Sequence, residues 1–216
     1  MVMKLYNYFR SSASFRVRIA LNYKGVPWQT ELVDLRAPAS AQHRPEFRAL
    51  NPLGLIPVLQ DGEAVLTQSL AIIEYLEETH PQPPLLPRAP RARAQVRALA
   101  LAIACDTHPL QNLRVLNYLR SEFGADDAAV NRWAGEWIAR SFAALEQQVA
   151  RCGDGRHMFG ASVTLADLCL VPMLYNAQRY QADLAPYPRL RAINTHLMSL
   201  PAFASAAPEA QPDAPR

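Results

Sequence analysis

Arg10-Ser11-Ser12-Ala13-Ser14-Phe15-Arg16-Val17-Arg18-Ile19-Ala20-Leu21 places two adjacent hydroxyls ahead of an apolar helical run. It reads as a strand turning into a helix. Before it, Lys4 to Phe9 has the β-rich character of a strand. After it, Ser14 to Lys24 follows a helical pattern that Gly25 is placed to end at C′, with Pro27 beyond. Ser11 and Ser12 therefore stand where a helix presents unpaired N–H groups and the positive end of its dipole. That setting stabilises anions, thiolates included. Ser11, Ser12 or Ser14 equally suits the plain role of N-cap. No cysteine lies at the turn, so any thiolate there must come from a ligand.

Further along, Trp28 to Leu35 alternates like a strand, and Pro45 to Leu50 reads as a short helix. Asp61-Gly62, between Ile56–Gln60 and Ala64–Thr67, is a hairpin signal. Ser69 to Thr79 is amphipathic, with Leu70, Ile73 and Leu76 along one stripe. The order β-α-β-α-β-β-α predicts a compact mixed-sheet domain over residues 1–83. The proline-studded stretch from Pro81 to Pro90 ends that pattern, and nearly everything beyond reads helical.

Two long helices are predicted, Arg91 to Ser121 and Asp127 to Arg151. The second takes Trp133, Trp137, Phe142, Leu145 and Val149 as its apolar face. A third starts at Thr164-Leu165-Ala166-Asp167, a capping box, with Val163 and Leu168 as a hydrophobic staple and Asp167 expected buried against the N-cap backbone. Pro172 inside that helix predicts a kink or a tight neighbour. Pro188 to Ser199 closes a helical bundle spanning residues 88–216, whose tail from Ala206 to Arg216 is expected to fray.

Composition narrows the function classes. The chain has 216 residues, 50% hydrophobic and 19% charged, which fits a soluble globular protein with a proper core. Its longest apolar run, Ala98 to Cys105, is far short of the ~18 residues a membrane span needs. The first residues carry no secretory pattern. A net charge of +3 is too small to demand nucleic acid as a partner. Cys105, Cys152 and Cys169 form no CxxC, which argues against a disulfide framework or a zinc ribbon and suits a reducing cytoplasm. His43, His80, His157 and His196 lack metal-ligand spacing, so no metal is expected, and Arg88, Arg91, Arg93 and Arg97 read as a solvated helix face.

A second segment bears on chemistry: Asn51-Pro52-Leu53-Gly54-Leu55-Ile56-Pro57-Val58-Leu59. Pro57 cannot donate to a sheet ladder and belongs at a strand's beginning or edge. A cis Ile56–Pro57 bond would turn the N–H and C=O of Ile56 outward, able to pair with a peptide-like ligand. Gln68-Ser69 then opens a helix, either as a cap or as an anion-capture point.

These segments together resemble the glutathione S-transferases, and Ser11-Ser12-Ala13-Ser14-Phe15-Arg16-Val17-Arg18-Ile19-Ala20-Leu21 is similar to their zeta class. The resemblance continues through Gln68 to Glu78, His108 to Leu116, Thr164 to Pro172, Arg179 to Pro188 and Gln211-Pro212-Asp213. It implies an α/β N-terminal thioredoxin-like domain, an all-α C-terminal helical bundle, a homodimer, and glutathione as cofactor. Ser11 would hydrogen-bond the glutathione thiolate, with Ser12, Ala13, Ser14 and the helix N-terminus around it. Ile56, before Pro57, would pair with the cysteinyl backbone. Gln68 and Ser69 would hold the γ-glutamyl carboxylate and Gln42 the glycyl end, while His108, Asn112 and Arg114 would close over the site.

The activity implied is cis–trans isomerisation of a maleyl acid through a reversible thiolate adduct, maleylacetoacetate ahead of maleylpyruvate. Arg10, Arg114 and Arg179 would bind the substrate's carboxylates, and Arg10 and Arg114 would steady the enolate. A surface position or a salt bridge is the alternative for each of these arginines. A conjugating or dehalogenating transferase, and a non-enzymatic binding module, are the competing readings of the whole. The chain departs from the class in two places: Ala13 stands where cysteine is usual and Phe15 where tryptophan is frequent. The first removes a reactive thiol from beside the site.

Overall fold

A computed structural model of the chain describes residues 2–36 and 40–215. Met1 and Arg216, the outer ends of the two expected domains, lie outside the described residues. The chain divides into two compact units, Met1–Pro84 with Leu200–Arg216, and Leu85–Ser199. The closing residues therefore belong with the sheet, a correction to the 88–216 boundary read from the sequence.

In the first unit, strands β1 (Met3–Asn7), β2 (Trp28–Leu32), β3 (Val58–Asp61) and β4 (Ala64–Thr67) form one sheet in the order β2-β1-β3-β4. β1 and β2 are parallel, with Leu5 opposite Thr30, and helix α1 (Ser12–Tyr23) supplies the crossover that a parallel pair requires. β3 runs antiparallel to both neighbours, with Leu59 opposite Leu5 and Leu66, and Gly62 at φ +58° makes its tight turn into β4. Strand alternation sends Met3 and Leu5 to one face of β1 and Tyr6 to the other. There Tyr6 packs with Val33, Val58 and Phe47 of the short helix α2 (Pro45–Leu50).

Helix α3 (Ser69–Thr79) packs against α1 and buries Ser69, Ile72, Ile73, Leu76 and Glu77. Leu70 is only half-buried, so the buried stripe is rotated from the one expected. That face includes Glu77, whose Oε2 lies 2.8 Å from the buried Lys24 Nζ; Lys24 also donates to the carbonyls of His80 and Pro83.

The tail is ordered rather than frayed. After helix α9 (Pro201–Ala204), Arg18 Nε donates to Ala206 O at 3.0 Å, and Asp213 Oδ2 accepts the Phe9 N–H at 2.9 Å. Gln211 Nε2 closes the tail on itself by donating to the carbonyls of Ser205 and Ala207. The Arg18–Ala206 and Phe9–Asp213 contacts join residues some two hundred positions apart, invisible to a local pattern.

The second unit holds α4 (Pro90–Leu101), α5 (Leu113–Phe123), α6 (Asp127–Cys152), α7 (Leu165–Arg179) and α8 (Pro188–Met198). The single helix expected from Arg91 to Ser121 is broken. Ala102–Thr107 widens to a π turn and His108–Gln111 tightens to a 3-10 turn before Asn112 restarts the chain as α5. Pro109 has no N–H to continue the ladder and its ring crowds the preceding turn, which accounts for the break. On α6 the buried face is Val130, Ala134, Ile138, Phe142, Leu145, Glu146 and Val149. Trp133 and Trp137 flank it half-buried, because the Trp133 indole turns aside to donate to Leu110 O at 2.8 Å. The capping box is present: Asp167 is fully buried and takes the Thr164 N–H and Oγ1–H on one oxygen and the Met158 N–H on the other. Pro172 is accommodated inside α7, which is buried on nearly every side.

Candidate active site

β1 ends at Asn7, and the chain turns through Tyr8, Phe9 and Arg10 into Ser11, the N-cap of α1 at φ −69° and ψ 117°. Ser11 Oγ accepts the Ser14 N–H at 3.2 Å, which leaves the hydroxyl hydrogen free to be donated outward. Its side chain is half-buried, as is Ala13; Ser12 is buried, and Ser14 is fully buried with its Oγ unpartnered among the described residues. No acidic side chain occupies the first turn of α1, where it would oppose the positive helix end. Of the three serines open to the capping role, Ser11 takes it.

The turn is held from behind. Arg18 is fully buried and donates to Asn7 Oδ1, to the carbonyls of Tyr8 and Phe9, and to Ala206 O. Burial pulls its pKa down to about 10, against the opposing attraction of Asp213. Arg10 remains exposed, its guanidinium 5.8 Å from the Phe9 ring centre. The Tyr8 phenol is buried without a partner among the described residues; burial raises its pKa while Arg10 and Arg36 pull it back. Sequence reasoning missed Arg18 and Tyr8 as supports of this turn. The signal available was a charged residue inside the apolar run Val17 to Leu21.

The second segment forms the approach to β3. Asn51 ties it down, donating from Nδ2 to Leu55 O at 2.6 Å and accepting the Leu53 N–H. Gly54 sits at φ +63°, and a Cβ there would come within 3.0 Å of Gln42 O, so glycine is required. Ile56–Pro57 is cis, and β3 begins one residue later. Among the described residues neither the N–H nor the C=O of Ile56 has a hydrogen-bond partner. Gln42 is buried, and its Oε1 is unpartnered among the described residues.

The start of α3 is the third feature. Gln68 is exposed and adopts φ +68°, a left-handed conformation costing a non-glycine residue on the order of 1–3 kcal/mol, with no side-chain cap to offset it. Ser69 beside it is buried, and its Oγ accepts a hydrogen bond from Arg16 Nη1 at 3.3 Å. Ser11, Ile56, Gln42, Gln68 and Ser69 thus all belong to the first unit, each with an unused polar group or a strained backbone.

The remaining candidates belong to the second unit. His108 lies half-buried in the 3-10 turn. Asn112 is the N-cap of α5, its Oδ1 accepting the Arg114 N–H at 3.2 Å, and the Arg114 side chain is exposed. Arg179, exposed at the end of α7, donates to Asn176 Oδ1 at 2.8 Å, and its guanidinium lies 5.2 Å from the Tyr180 ring centre. Asn176 in turn donates to Gln111 Oε1 at 2.6 Å, and Gln111 donates to Thr107 O. This buried relay joins Arg179 to the broken stretch containing His108 and Asn112. The sequence signal for it was a lone carboxamide in the apolar run of α7.

Chemically, the first unit offers a hydroxyl donor at a positive helix end, a free main-chain pair suited to a peptide, and an anion-seeking helix start. The second offers guanidinium groups suited to carboxylates. Among the described residues no group of three or more His, Cys, Asp or Glu could hold a metal, and no helix is long and apolar enough to cross a membrane.

Comparison with known proteins follows the same division. The family model of the glutathione S-transferase N-terminal domain matches residues 10–79, and that of the C-terminal domain matches residues 127–193. The chain is 46% identical over 214 residues to a maleylacetoacetate isomerase of Pseudomonas aeruginosa, covering 99% of each chain. Among solved structures it is similar, with TM-score 0.95 and 50% identity over 98% of this chain and 100% of the other, to a holo maleylpyruvate isomerase described as a bacterial glutathione S-transferase in the zeta class. A maleylacetoacetate isomerase of Methylobacterium extorquens AM1, solved with bound malonate and glutathione, gives TM-score 0.94 and 42% identity over 99% and 100% of the two chains.

Proposed function

The chain belongs to the glutathione S-transferase family, in its zeta class, and from that premise we propose that it is a glutathione-dependent cis–trans isomerase converting maleylacetoacetate to fumarylacetoacetate in tyrosine and phenylalanine breakdown. The observation that carries the reading is the Ser11 turn: a hydroxyl with its oxygen already engaged and its hydrogen free, at a helix N-terminus whose first turn holds no acidic residue, with no cysteine beside it. Such a group is built to steady a thiolate brought in by a ligand rather than to supply one.

The residues present fit glutathione. Ile56 offers an unpaired main-chain N–H and C=O of the kind a cysteinyl backbone pairs with, next to Pro57. Gln68 and Ser69 offer a positive helix start for the γ-glutamyl carboxylate, and the orphaned Gln42 side chain suits the amide and carboxylate of the glycyl end. Ser12, Ala13 and Ser14 form the first turn around the sulfur position. His108, Asn112 and Arg114 are further cofactor contacts in this reading.

When bound, glutathione supplies the thiolate whose reversible addition to the cis double bond lets that bond rotate. Ser11 donates its hydroxyl hydrogen toward the sulfur and, with Ser12 and the α1 N-terminus, holds it ionised near neutral pH. Arg10, Arg114 and Arg179 take the carboxylates of the acid, and Arg10 and Arg114 stabilise the negative charge that develops on its conjugated carbonyl. The product leaves with the thiol regenerated. The free thiols of Cys105, Cys152 and Cys169 support a cytoplasmic location, and the exposed Leu113, Tyr118 and Phe123 of α5 support a homodimer.

Maleylpyruvate is the second reading, favoured by the likeness to the zeta-class maleylpyruvate isomerase. Parallel kcat/KM measurements on the two acids at saturating glutathione decide between them. A clear preference for maleylacetoacetate supports the main reading, and a preference for maleylpyruvate transfers it. Turnover of neither, with glutathione consumed by an added electrophile, replaces both with a conjugating transferase.

A further inference from the structure

Among the described residues, Arg16 is the most buried charge without an evident role. Its residue exposure is 1%, and it lies in the second turn of α1. Its Nη1 donates to Ser69 Oγ at 3.3 Å, while Nε and Nη2 are buried with no hydrogen-bond partner among the described residues. No carboxylate of the described residues reaches it, in contrast to the buried Lys24, which is matched by Glu77. A guanidinium left in this condition is costly, because burial strips its water without replacing the lost partners. Its one bond leads to the first residue of α3, whose free N–H groups already make that point positive. Two sources of positive charge therefore converge on Ser69, next to a Gln68 backbone held at φ +68°.

We propose that Arg16 is a positioning residue for the carboxylate of the γ-glutamyl group, acting through Ser69. The inference rests on the glutathione reading above and deepens it. Donation from Arg16 occupies a lone pair of Ser69 Oγ and so turns the Ser69 hydroxyl hydrogen outward, toward an incoming carboxylate. The unneutralised guanidinium adds an attractive field across a dry environment, where screening is weak. Without the anion the charge is uncompensated; with it, the charge is matched. Arg16 thereby exchanges stability of the free protein for affinity toward an anionic ligand.

The test compares the wild type with Arg16→Met and Arg16→Lys by calorimetric titration with glutathione and with 4-aminobutanoyl-cysteinyl-glycine, which lacks only that carboxylate. Thermal unfolding is followed with and without glutathione. Arg16→Met is expected to weaken glutathione binding about ten- to a hundredfold, as for loss of a charge-assisted contact, and to leave the decarboxylated analogue's affinity unchanged. Arg16→Lys is expected to recover part of the loss. Unfolding without ligand should occur at the same or a higher temperature in Arg16→Met, with a smaller upward shift on adding glutathione. Equal weakening toward both ligands, or a lower unfolding temperature without ligand, overturns the proposal in favour of a purely structural arginine. Unchanged glutathione affinity in Arg16→Met overturns it as well. Failure of the wild type to bind glutathione at all is distinct from these, since it removes the glutathione reading itself and the proposal with it.

Discussion

Arg179 and Asn176 are joined by a 2.8 Å hydrogen bond in which the Asn176 carboxamide oxygen accepts from the guanidinium, while its nitrogen donates to Gln111 Oε1. The exposed arginine is thus held by a residue only 4% exposed, anchored to the segment where the α4–α5 helix breaks. A guanidinium that binds substrate, as proposed for Arg179, gains from being fixed before the substrate arrives, since less rotamer freedom is lost on binding.

Asn176→Ala should therefore raise KM for the maleyl acid about tenfold, with a smaller effect on kcat, because one ordering hydrogen bond is removed. Asn176→Asp should raise KM further, since a carboxylate beside Arg179 competes directly with the substrate's. Steady-state kinetics with the acid varied at saturating glutathione reads both, and glutathione affinity should stay at the wild-type value in each.

Ser11→Ala removes two things at once. As an N-cap it should cost about 1 kcal/mol of stability. If Ser11 is the hydroxyl donor to the sulfur, as proposed, its loss should move the pKa of bound glutathione up toward the free thiol's value of about 8.5. Titrating the thiolate's ultraviolet absorbance in the binary complex measures that pKa, and kcat at neutral pH should fall more than tenfold in step with the lost thiolate fraction.

Asp213→Ala should loosen the same turn from the tail. The Phe9 N–H loses its acceptor and the buried Arg18 loses a neighbouring negative charge, for a destabilisation of about 2–3 kcal/mol. Denaturant unfolding gives the magnitude. Hydrogen exchange should localise the loosening to Phe9 through Ser14.

Asp167 makes stability depend on pH. Burial raises its pKa from 3.8 to about 6, although three hydrogen bonds to the carboxylate and the charge of His157 work the other way. With the folded value above the unfolded one, folding takes up a proton between them. The stability belonging to this group is full below about pH 4 and is lost as pH rises through about 6. From pH 4 to pH 7 the wild type should lose about 2 kcal/mol more unfolding free energy than Asp167→Asn does. The asparagine variant should be less stable throughout, because its amide nitrogen faces donors.

Much of this architecture is legible in the residues themselves. Gly25, Pro45, Asp61-Gly62 and the Thr164–Asp167 box are local signals, and the elements they delimit appear where those signals put them. The Ser11 turn is legible for the same reason, since a cap is decided within a few residues. What escapes is whatever a distant partner decides. Arg16, Arg18 and Asn176 are polar residues inside apolar helices, and their partners lie 53, 188 and 65 positions away. The tail looks disposable in sequence because its proline and alanine content hides Asp213. The break at Pro109 is the exception: it was readable, but a strong helical pattern on both sides masked it.

The most direct test of the account is a thiol-conserving turnover experiment. The protein is given maleylacetoacetate in large excess over a trace of glutathione, and both the fumaryl product and the free thiol are quantified as the reaction proceeds. The account predicts many product molecules per glutathione, an unchanged thiol titre, and no reaction when glutathione is omitted. Product limited to one equivalent per glutathione with the thiol consumed, or turnover that persists without glutathione, would contradict it.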